Sequence, residues 1–163
     1  MKRCVLLITL FAVLISVCGC AKTNETDTSV ATFYYLSSKL SYGTQEGVLS
    51  PELRDIQAYA DDILGLLNFY LAGPESDSLI SPFPTYSSAE RYTQSGNTLK
   101  IYMNYRFCTL SGLSLTIACA CLARTVLSLY DCDAVSLYAP LTFKDGSTFI
   151  TFTKDNLIFS DTV

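Results

Sequence analysis

The clearest pattern along the chain is an apolar stripe at helical spacing that ends in a stop signal. The stripe consists of Ile56, Tyr59, Ala60, Ile63, Leu64, Leu67 and Leu71. Positions three and four residues apart share one face of a helix, so this face needs cover from the rest of the fold. Gly73 tolerates the left-handed conformation that closes helices, and Pro74 cannot continue one. The helix is therefore predicted to end near Ala72.

The start of this helix is predicted from capping residues upstream. Ser50 can act as an N-cap, and Pro51 suits the first helical position because its missing N–H is not needed there. Glu52 and Asp55 would lie near the positive end of the helix dipole. The first helix is therefore expected to run from about Pro51 to Ala72.

Strands are predicted on both sides of this helix. Residues 30–36 are β-branched and aromatic, which is typical of a strand inside a sheet. Residues 88–94 and 98–105 flank Ser95-Gly96-Asn97 and predict a hairpin. Apolar residues alternate with polar ones in its second arm, so one side is expected to face the core. The expected core-facing residues are Leu99, Ile101, Met103 and Tyr105.

A second helix is predicted from Leu113 to about Tyr130, and its middle is apolar on nearly every side. Small residues at positions 118–121 would let its backbone approach its neighbours closely, so this is expected to be the more buried helix. A turn and a strand at residues 134–138 should follow. Within residues 141–152, Asp145-Gly146 lies between β-forming residues and predicts a last hairpin.

Several of these segments resemble the GerMN domain, which is known as the sporulation and spore germination domain. Residues 66–74, read as LLNFYLAGP, are similar to the family signature LL..LLxGP, and Leu79 and Pro84 follow as in its LP extension. Residues 48–52 resemble the LVPE that precedes the family's first helix. Residues 113–138 are similar to the family's ending, so the resemblance covers about residues 31–138.

The predicted elements and this resemblance give one α+β domain. Its expected order is β-α-β-β-α-β, with a mostly antiparallel sheet, two helices packed on one face, and an extra C-terminal hairpin. The resemblance also implies a setting, because the domain recurs in envelope lipoproteins of spore-forming bacteria, mostly as an interaction or scaffolding module without known catalysis. Its likeness to ring-building modules of sporulation channels implies self-association.

The N-terminal segment has the pattern of a secretory signal. Met1-Lys2-Arg3 is positively charged and residues 5–17 are apolar. Gly19-Cys20 then resembles the lipobox of bacterial lipoproteins. We therefore predict a lipoprotein signal peptide over residues 1–19, a lipidated Cys20 with a tether to residue 29, and a GerMN-like domain over residues 30–163. An uncleaved membrane anchor is the alternative.

Length and charge limit the classes of partner. At 163 residues the chain has room for one domain besides a targeting segment. Its net charge is −4, and loss of Lys2 and Arg3 would make the mature chain still more acidic. An acidic chain is not expected to bind nucleic acid or to hold anionic lipid electrostatically. The acyl chains on Cys20, such as palmitate, would hold it at the extracytoplasmic side of the cell membrane.

Candidate catalytic and metal-binding residues are few. The chain has no histidine, which removes the commonest general base and metal ligand. Asp61 and Asp62 point about 100° apart on a helix, so both are expected to be solvated. Asp131, Asp133 and Asp145 could surround calcium, but turn residues are the favoured interpretation. We expect no enzyme activity, no metal and no cofactor; a hydrolase would need a carboxylate pair in a cleft.

Seven cysteines in an exported chain would suggest disulfides. Cys119 and Cys121 lie about 200° apart around a helix and cannot converge on one partner. Cys108 and Cys132 flank opposite ends of that helix, which is too long for a bridge. The four cysteines of the predicted domain are therefore expected to be reduced thiols.

Two functions remain open at this stage. The first is a non-catalytic scaffold or interaction module that binds other envelope proteins or itself, with sporulation or germination as the setting that the resemblance implies. The second is suggested by eleven tyrosines, since a cluster on an exposed face would suit stacking against sugars. In that case the protein would bind cell-wall glycan or peptide, including peptidoglycan.

Overall fold

The computed structural model describes residues 29–38, 48–140 and 148–157. The predicted signal peptide, Cys20 and nearly all of the tether lie outside the described residues, as does the Asp145-Gly146 turn. The described elements are β1 (Val30–Ser37), β2 (Leu49–Asp55), α1 (Ile63–Leu71), β3 (Leu79–Ile80), β4 (Ala89–Ser95), β5 (Thr98–Met103), α2 (Gly112–Leu129), β6 (Ala134–Tyr138) and β7 (Phe149–Thr153). The predicted α+β class with two helices is confirmed, and the predicted order is kept with β2 and β3 added to it.

The strands form two hydrogen-bonded sheets instead of the single sheet that the sequence suggested. The first has the order β2-β1-β3 and is antiparallel. The second has the order β4-β5-β6-β7, and only β5 and β6 run parallel, because α2 forms the crossover between them. The two sheets remain separate at the middle of β1, because backbone groups there form hydrogen bonds with side chains of the helices and not with another strand. Tyr34 N–H donates to Thr125 Oγ1 of α2 at 3.0 Å, and Tyr34 O accepts from Tyr70 Oη of α1 at 2.6 Å.

The predicted start of the first helix is wrong. Ser50, Pro51, Glu52 and Asp55 belong to β2, which pairs with β1 along its whole length. Pro51 is tolerated there because it lies on an edge strand opposite Tyr34, whose own backbone groups bond away from β2. The local sequence suited a helix start, but pairing with β1 decided the conformation.

The helix α1 begins at Ile63 and is capped by an acidic residue that the sequence analysis placed on a solvated face. Asp62 is exposed, and its Oδ1 accepts a hydrogen bond from Gly65 N at 2.8 Å. This is the usual N-cap interaction, and it satisfies one of the amides that the first turn leaves unpaired. The other end agrees with expectation, because Ala72 is the C-cap and Gly73 has a φ of 110°.

The hairpin of β4 and β5 and the core-facing side of β5 are mostly as predicted. The hairpin turns at Gly96-Asn97, and Gly96 has a φ of 58°, which such tight turns require. Leu99, Ile101 and Met103 are buried. Tyr105, however, is 54% exposed, because β5 ends at Met103 and the chain leaves the sheet. The buried aromatic side chain after β5 is instead Phe107.

The second helix, α2, is the more buried one, as predicted. By length and hydropathy it could cross a membrane, yet 56% of it is buried within the domain, where it packs on β1, β6 and β7. The small residues from Ala118 to Cys121 are at most 1% exposed, which allows this close packing. None of the four described cysteines forms a disulfide, which agrees with the reduced thiols predicted from the sequence.

Candidate functional site

The site residues proposed from sequence do not converge. Cys20 lies outside the described residues, so its lipidation stays a prediction. Asp61, Asp131 and Asp133 are exposed. The described part of the chain contains no group of three or more histidine, cysteine, aspartate or glutamate residues that could hold a metal ion. Asp145 lies outside that part.

A heavily bonded polar side chain is that of Arg54 of β2, a residue that is 6% exposed. Its Nη1 donates to Tyr35 Oη and to Gly73 O, both at 3.1 Å. Its Nη2 lies 3.1 Å from Glu75 Oε1, and its guanidinium carbon is 3.7 Å from the centre of the Phe69 ring. Arg54 therefore ties β2 to the end of α1 through hydrogen bonds, an ion pair and a cation–π contact.

Glu52 completes this arrangement from the same strand. Its Oε2 lies 3.9 Å from Arg54 Nη1, and its Oε1 accepts from Ser76 N at 2.8 Å and Glu75 N at 3.1 Å. The carboxylate thus orders the backbone that follows Gly73. Because Glu52 accepts hydrogen bonds from these amides and lies beside Arg54, its carboxylate has a structural role.

Two buried tyrosines extend this arrangement of Arg54 and Glu52 into the core. Tyr35 Oη donates to Tyr70 O at 2.8 Å, and Tyr70 Oη donates to Tyr34 O. Burial raises the pKa of Tyr35 well above its ordinary value, although the Arg54 charge opposes the shift. Burial likewise raises the pKa of Tyr70. We call Arg54, Glu52, Tyr35 and Tyr70 the clasp.

A second set of aromatic side chains crosses the four-stranded sheet. Arg91 of β4 lies over Tyr102 of β5, with its guanidinium carbon 3.3 Å from the ring centre. Tyr102 stacks on Tyr138 of β6 at 4.9 Å, and Tyr138 stacks on Phe149 of β7 at 5.2 Å. These four residues form the aromatic row. Since the rings cover one another's faces, the row stabilises strand pairing and leaves few ring faces open for a sugar.

A third region is a cleft beside the loop between β3 and β4. It has a volume of about 460 Å³, within the range of small-molecule sites. We call it the loop cleft. Its described lining consists of Asn68, Leu71, Ala72, Ser81, Phe83, Pro84, Thr85, Tyr86, Ser87 and Ser88. None of these residues is charged, and the set combines apolar side chains with hydroxyl and amide groups.

Tyr86, which lines the loop cleft, has an uncommon backbone conformation. Its φ is 66°, in the left-handed region that bulky residues rarely adopt, and its side chain is 80% exposed. Such a conformation costs on the order of 1–3 kcal/mol and persists only where surrounding structure enforces it. A turn and a side chain enforce it here. Ser87 N–H donates to Pro84 O at 3.0 Å, which closes a turn with Tyr86 at its third position, where a positive φ is common. Asn104 Nδ2 then donates to Tyr86 O at 2.7 Å and to Ser88 Oγ at 2.9 Å.

The neighbouring Ser87 is buried with an unsatisfied hydroxyl. The residue is 8% exposed, and its Oγ meets no hydrogen-bond partner within the described chain. A buried polar group without a partner costs about 1–3 kcal/mol. The loop cleft therefore combines backbone strain with an unsatisfied donor, and both are destabilising features that a ligand could use.

Neither Tyr86 nor Ser87 was predicted from the sequence to be a site residue. Residues 74–87 are rich in proline and serine, which is typical of a loop, and Tyr86 is one of eleven tyrosines in the chain. The available signal was the position of Tyr86 within that loop, because no alternating strand pattern buries its ring. The turn from Pro84 to Ser87 is local, but the sequence does not show that Tyr86 takes its positive-φ position or that Asn104 braces it from another part of the chain.

Comparison with known proteins supports the fold. No family model and no curated protein matches the sequence. Among solved structures, the chain is similar to the tandem GerMN domains of the sporulation protein GerM from Bacillus subtilis. The TM-score is 0.55 and the sequence identity 17%, over 73% of this chain and 43% of that chain. The fold is therefore GerMN-like, and the chain spans less than half the length of the tandem structure.

Proposed function

We propose that this protein is a membrane-anchored, non-catalytic lipoprotein of the bacterial envelope that acts as a scaffold or interaction module in sporulation or spore germination. The observation that carries the proposal is the GerMN-like fold, which the sporulation protein GerM shares. The acidic, histidine-free sequence and the lipobox-like Gly19-Cys20 support the same setting.

The non-catalytic part of the proposal is supported by how the chain uses its carboxylates. Glu52 accepts backbone hydrogen bonds and lies beside Arg54, while Glu75 pairs with Arg54. Asp62 caps α1. Each of these groups has a structural role that explains its position, so none is needed to explain a reaction.

The anchor is tested by labelled fatty acid in a bacterial host. Cys20→Ser should abolish labelling and stop processing at Gly19-Cys20, because the acyl chains attach through the cysteine sulfur. Cys18→Ser is the matched control, since it changes a nearby cysteine of the signal segment and should leave labelling intact. Label that still enters the Cys20→Ser protein would contradict the anchor.

The scaffold role implies association with other copies or with other envelope proteins. The test is cross-linking of the anchored chain in intact cells during sporulation, followed by identification of the products. We expect a defined partner or a ladder of multiples of the chain. A protein that stays monomeric and uncross-linked throughout would contradict this role.

Binding of cell-wall glycan or peptide is a second candidate function, and the loop cleft is the observation that favours it. Incubation of the full chain in detergent with insoluble peptidoglycan, followed by centrifugation, tests it directly. Recovery of the protein with the wall would support this function. Protein that remains entirely in solution would count against it.

A further inference from the structure

We infer that the loop cleft binds a neutral, N-acetylated saccharide, with the ring of Tyr86 as its stacking surface. The inference rests on the second candidate function, binding of cell-wall glycan or peptide, and it names a site and a ligand class for that function. It is independent of the lipid anchor, because saccharide binding can be measured whether or not Cys20 is acylated.

Tyr86 combines an exposed ring with a strained backbone. The fold holds a bulky residue at a φ of 66° where glycine would be unstrained, and it presents the side chain 80% exposed. The Asn104 side chain fixes this position through hydrogen bonds to Tyr86 O and Ser88 Oγ. Among the described residues, the Tyr86 ring fills no position in the hydrophobic core. A strained, rigidly braced and exposed aromatic residue is typical of a residue kept for binding.

Ser87 also lines this cleft, and the residue is more than nine-tenths buried. Its Oγ is buried and has no hydrogen-bond partner in the described part of the structure. Two other hydroxyls of the lining are used internally, since Ser88 Oγ accepts from Asn104 Nδ2 and Ser81 Oγ accepts from Phe83 N. Ser87 is therefore the buried hydroxyl of this lining that lacks a partner, while the hydroxyls of Thr85 and Tyr86 are exposed at the cleft.

The uncharged lining of the loop cleft indicates the class of ligand. Because no described lining residue is charged, the cleft gives no ion-pair partner to a phosphate, a carboxylate or an amine. The apolar side chains of Leu71, Phe83 and Pro84 suit a methyl group such as that of an acetamide. The exposed face of Tyr86 suits the carbon–hydrogen face of a sugar ring, and the hydroxyl-bearing residues suit its polar edge.

An extended peptide fits the same cleft less well. Peptides are commonly held by backbone amides and carbonyls that they pair along a strand edge. Here Pro84 has no N–H, and the amides of Phe83, Ser87 and Ala89 already donate to Ser81 Oγ, Pro84 O and Asn68 Oδ1. The aromatic row is also a weaker saccharide site, because its rings cover one another and Arg91 covers the face of Tyr102 at one end.

The experiment uses the full chain in a detergent without a sugar headgroup, and it measures binding by ligand-observed NMR. The probe is the N-acetylglucosamine tetramer, with cellotetraose as the comparison lacking acetamido groups and a proline-rich decapeptide as the peptide comparison. Tyr86→Asn removes the ring but keeps a residue that tolerates the left-handed region. Ser87→Ala removes the hydroxyl, Tyr86→Phe keeps the ring, and Phe149→Ala disturbs only the aromatic row.

We expect the acetylated tetramer to bind the wild type more tightly than cellotetraose or the peptide. Tyr86→Asn should weaken binding about tenfold or more, as for a central aromatic contact. Ser87→Ala should weaken it about three- to tenfold. Tyr86→Phe and Phe149→Ala should stay within about twofold of wild type, since neither changes the stacking face in the cleft.

Three results would overturn the assignment. They are the absence of saccharide binding at millimolar probe, binding that Tyr86→Asn and Ser87→Ala leave unchanged, and a preference for cellotetraose or the peptide. A chain that binds the tetramer but is never acylated would overturn only the lipoprotein proposal. The two failures are therefore distinguishable.

Discussion

The clasp and the loop cleft both border the C-terminal end of α1, yet they treat their polar and aromatic groups in opposite ways. In the clasp, Tyr35 and Tyr70 are fully buried, and each hydroxyl donates to a backbone carbonyl. In the loop cleft, Tyr86 is exposed on a strained backbone and the Ser87 hydroxyl has no partner within the described chain. The tyrosine hydroxyls of the clasp are therefore satisfied within the fold, although Arg54 Nε has no hydrogen-bond partner among the described residues. The loop cleft differs because it adds a strained backbone and an exposed ring to its own unpartnered hydroxyl, and we assign these to a ligand.

The largest expected effect comes from removing the centre of the clasp. Arg54→Met should lower the free energy of unfolding by about 3–5 kcal/mol, because it leaves the nearly buried Glu52 carboxylate without its cation and Tyr35 Oη and Gly73 O without their donor. Urea unfolding measures the change. Arg106→Met, at an exposed arginine, should stay within about 0.5 kcal/mol of wild type. Equal effects of the two substitutions would show that the clasp contributes no more than a surface charge.

The same substitution, tyrosine to phenylalanine, can be made once in the clasp and once in the loop cleft. Tyr70→Phe should cost about 1–3 kcal/mol, because Tyr34 O loses the hydroxyl that it accepts from and stays buried against α1. Tyr86→Phe should leave the free energy of unfolding within about 0.5 kcal/mol of wild type, since its side chain is exposed. The measurement is again urea unfolding, and a larger loss in Tyr86→Phe than in Tyr70→Phe would reverse the roles of the two regions.

The buried thiol beside the clasp gives a smaller effect that depends on pH. Burial raises the pKa of Cys121 from 9.0 to about 12. The folded protein therefore keeps this proton after the unfolded chain has lost it. The thiol's contribution to stability is complete below about pH 9 and declines as pH rises toward 12, by at most about 1.4 kcal/mol per pH unit.

Cys121→Ala should cost about 1 kcal/mol at neutral pH and should flatten this alkaline decline. Urea unfolding at a series of pH values from neutral to alkaline measures both. Thiol counting on the unfolded, unreduced mature domain should find the four cysteines reduced. An unchanged alkaline slope in the variant, or a count of two thiols, would contradict the packing of α2 described above.

The parts of this fold that local sequence predicted are those whose signals lie close together along the chain. The end of α1 follows from Gly73-Pro74, and the β4–β5 hairpin follows from Gly96-Asn97. The buried character of α2 follows from its own small and apolar residues. In each case the deciding interactions join residues that are near neighbours in sequence.

The parts that were missed depend on distant residues. Ser50 and Pro51 suit a helix start as well as an edge strand, and only pairing with β1 makes them β2. Arg54 was not predicted to be buried, because its surroundings include Phe69, Gly73 and Glu75 from later parts of the chain. The sequence around Tyr86 does not reveal its brace, because Asn104, whose side chain bonds to Tyr86 O, lies 18 positions further along the chain.

The contrast between the two regions is tested most directly by the unfolding free energies of Tyr86→Gly and Tyr86→Ala. Both variants remove the ring, but only glycine adopts a φ of 66° without strain. We expect Tyr86→Gly to be more stable than Tyr86→Ala by about 1 kcal/mol and at least as stable as wild type. If Tyr86→Ala were as stable as Tyr86→Gly, or if both fell well below wild type, the loop would hold Tyr86 for stability and the contrast with the clasp would be lost.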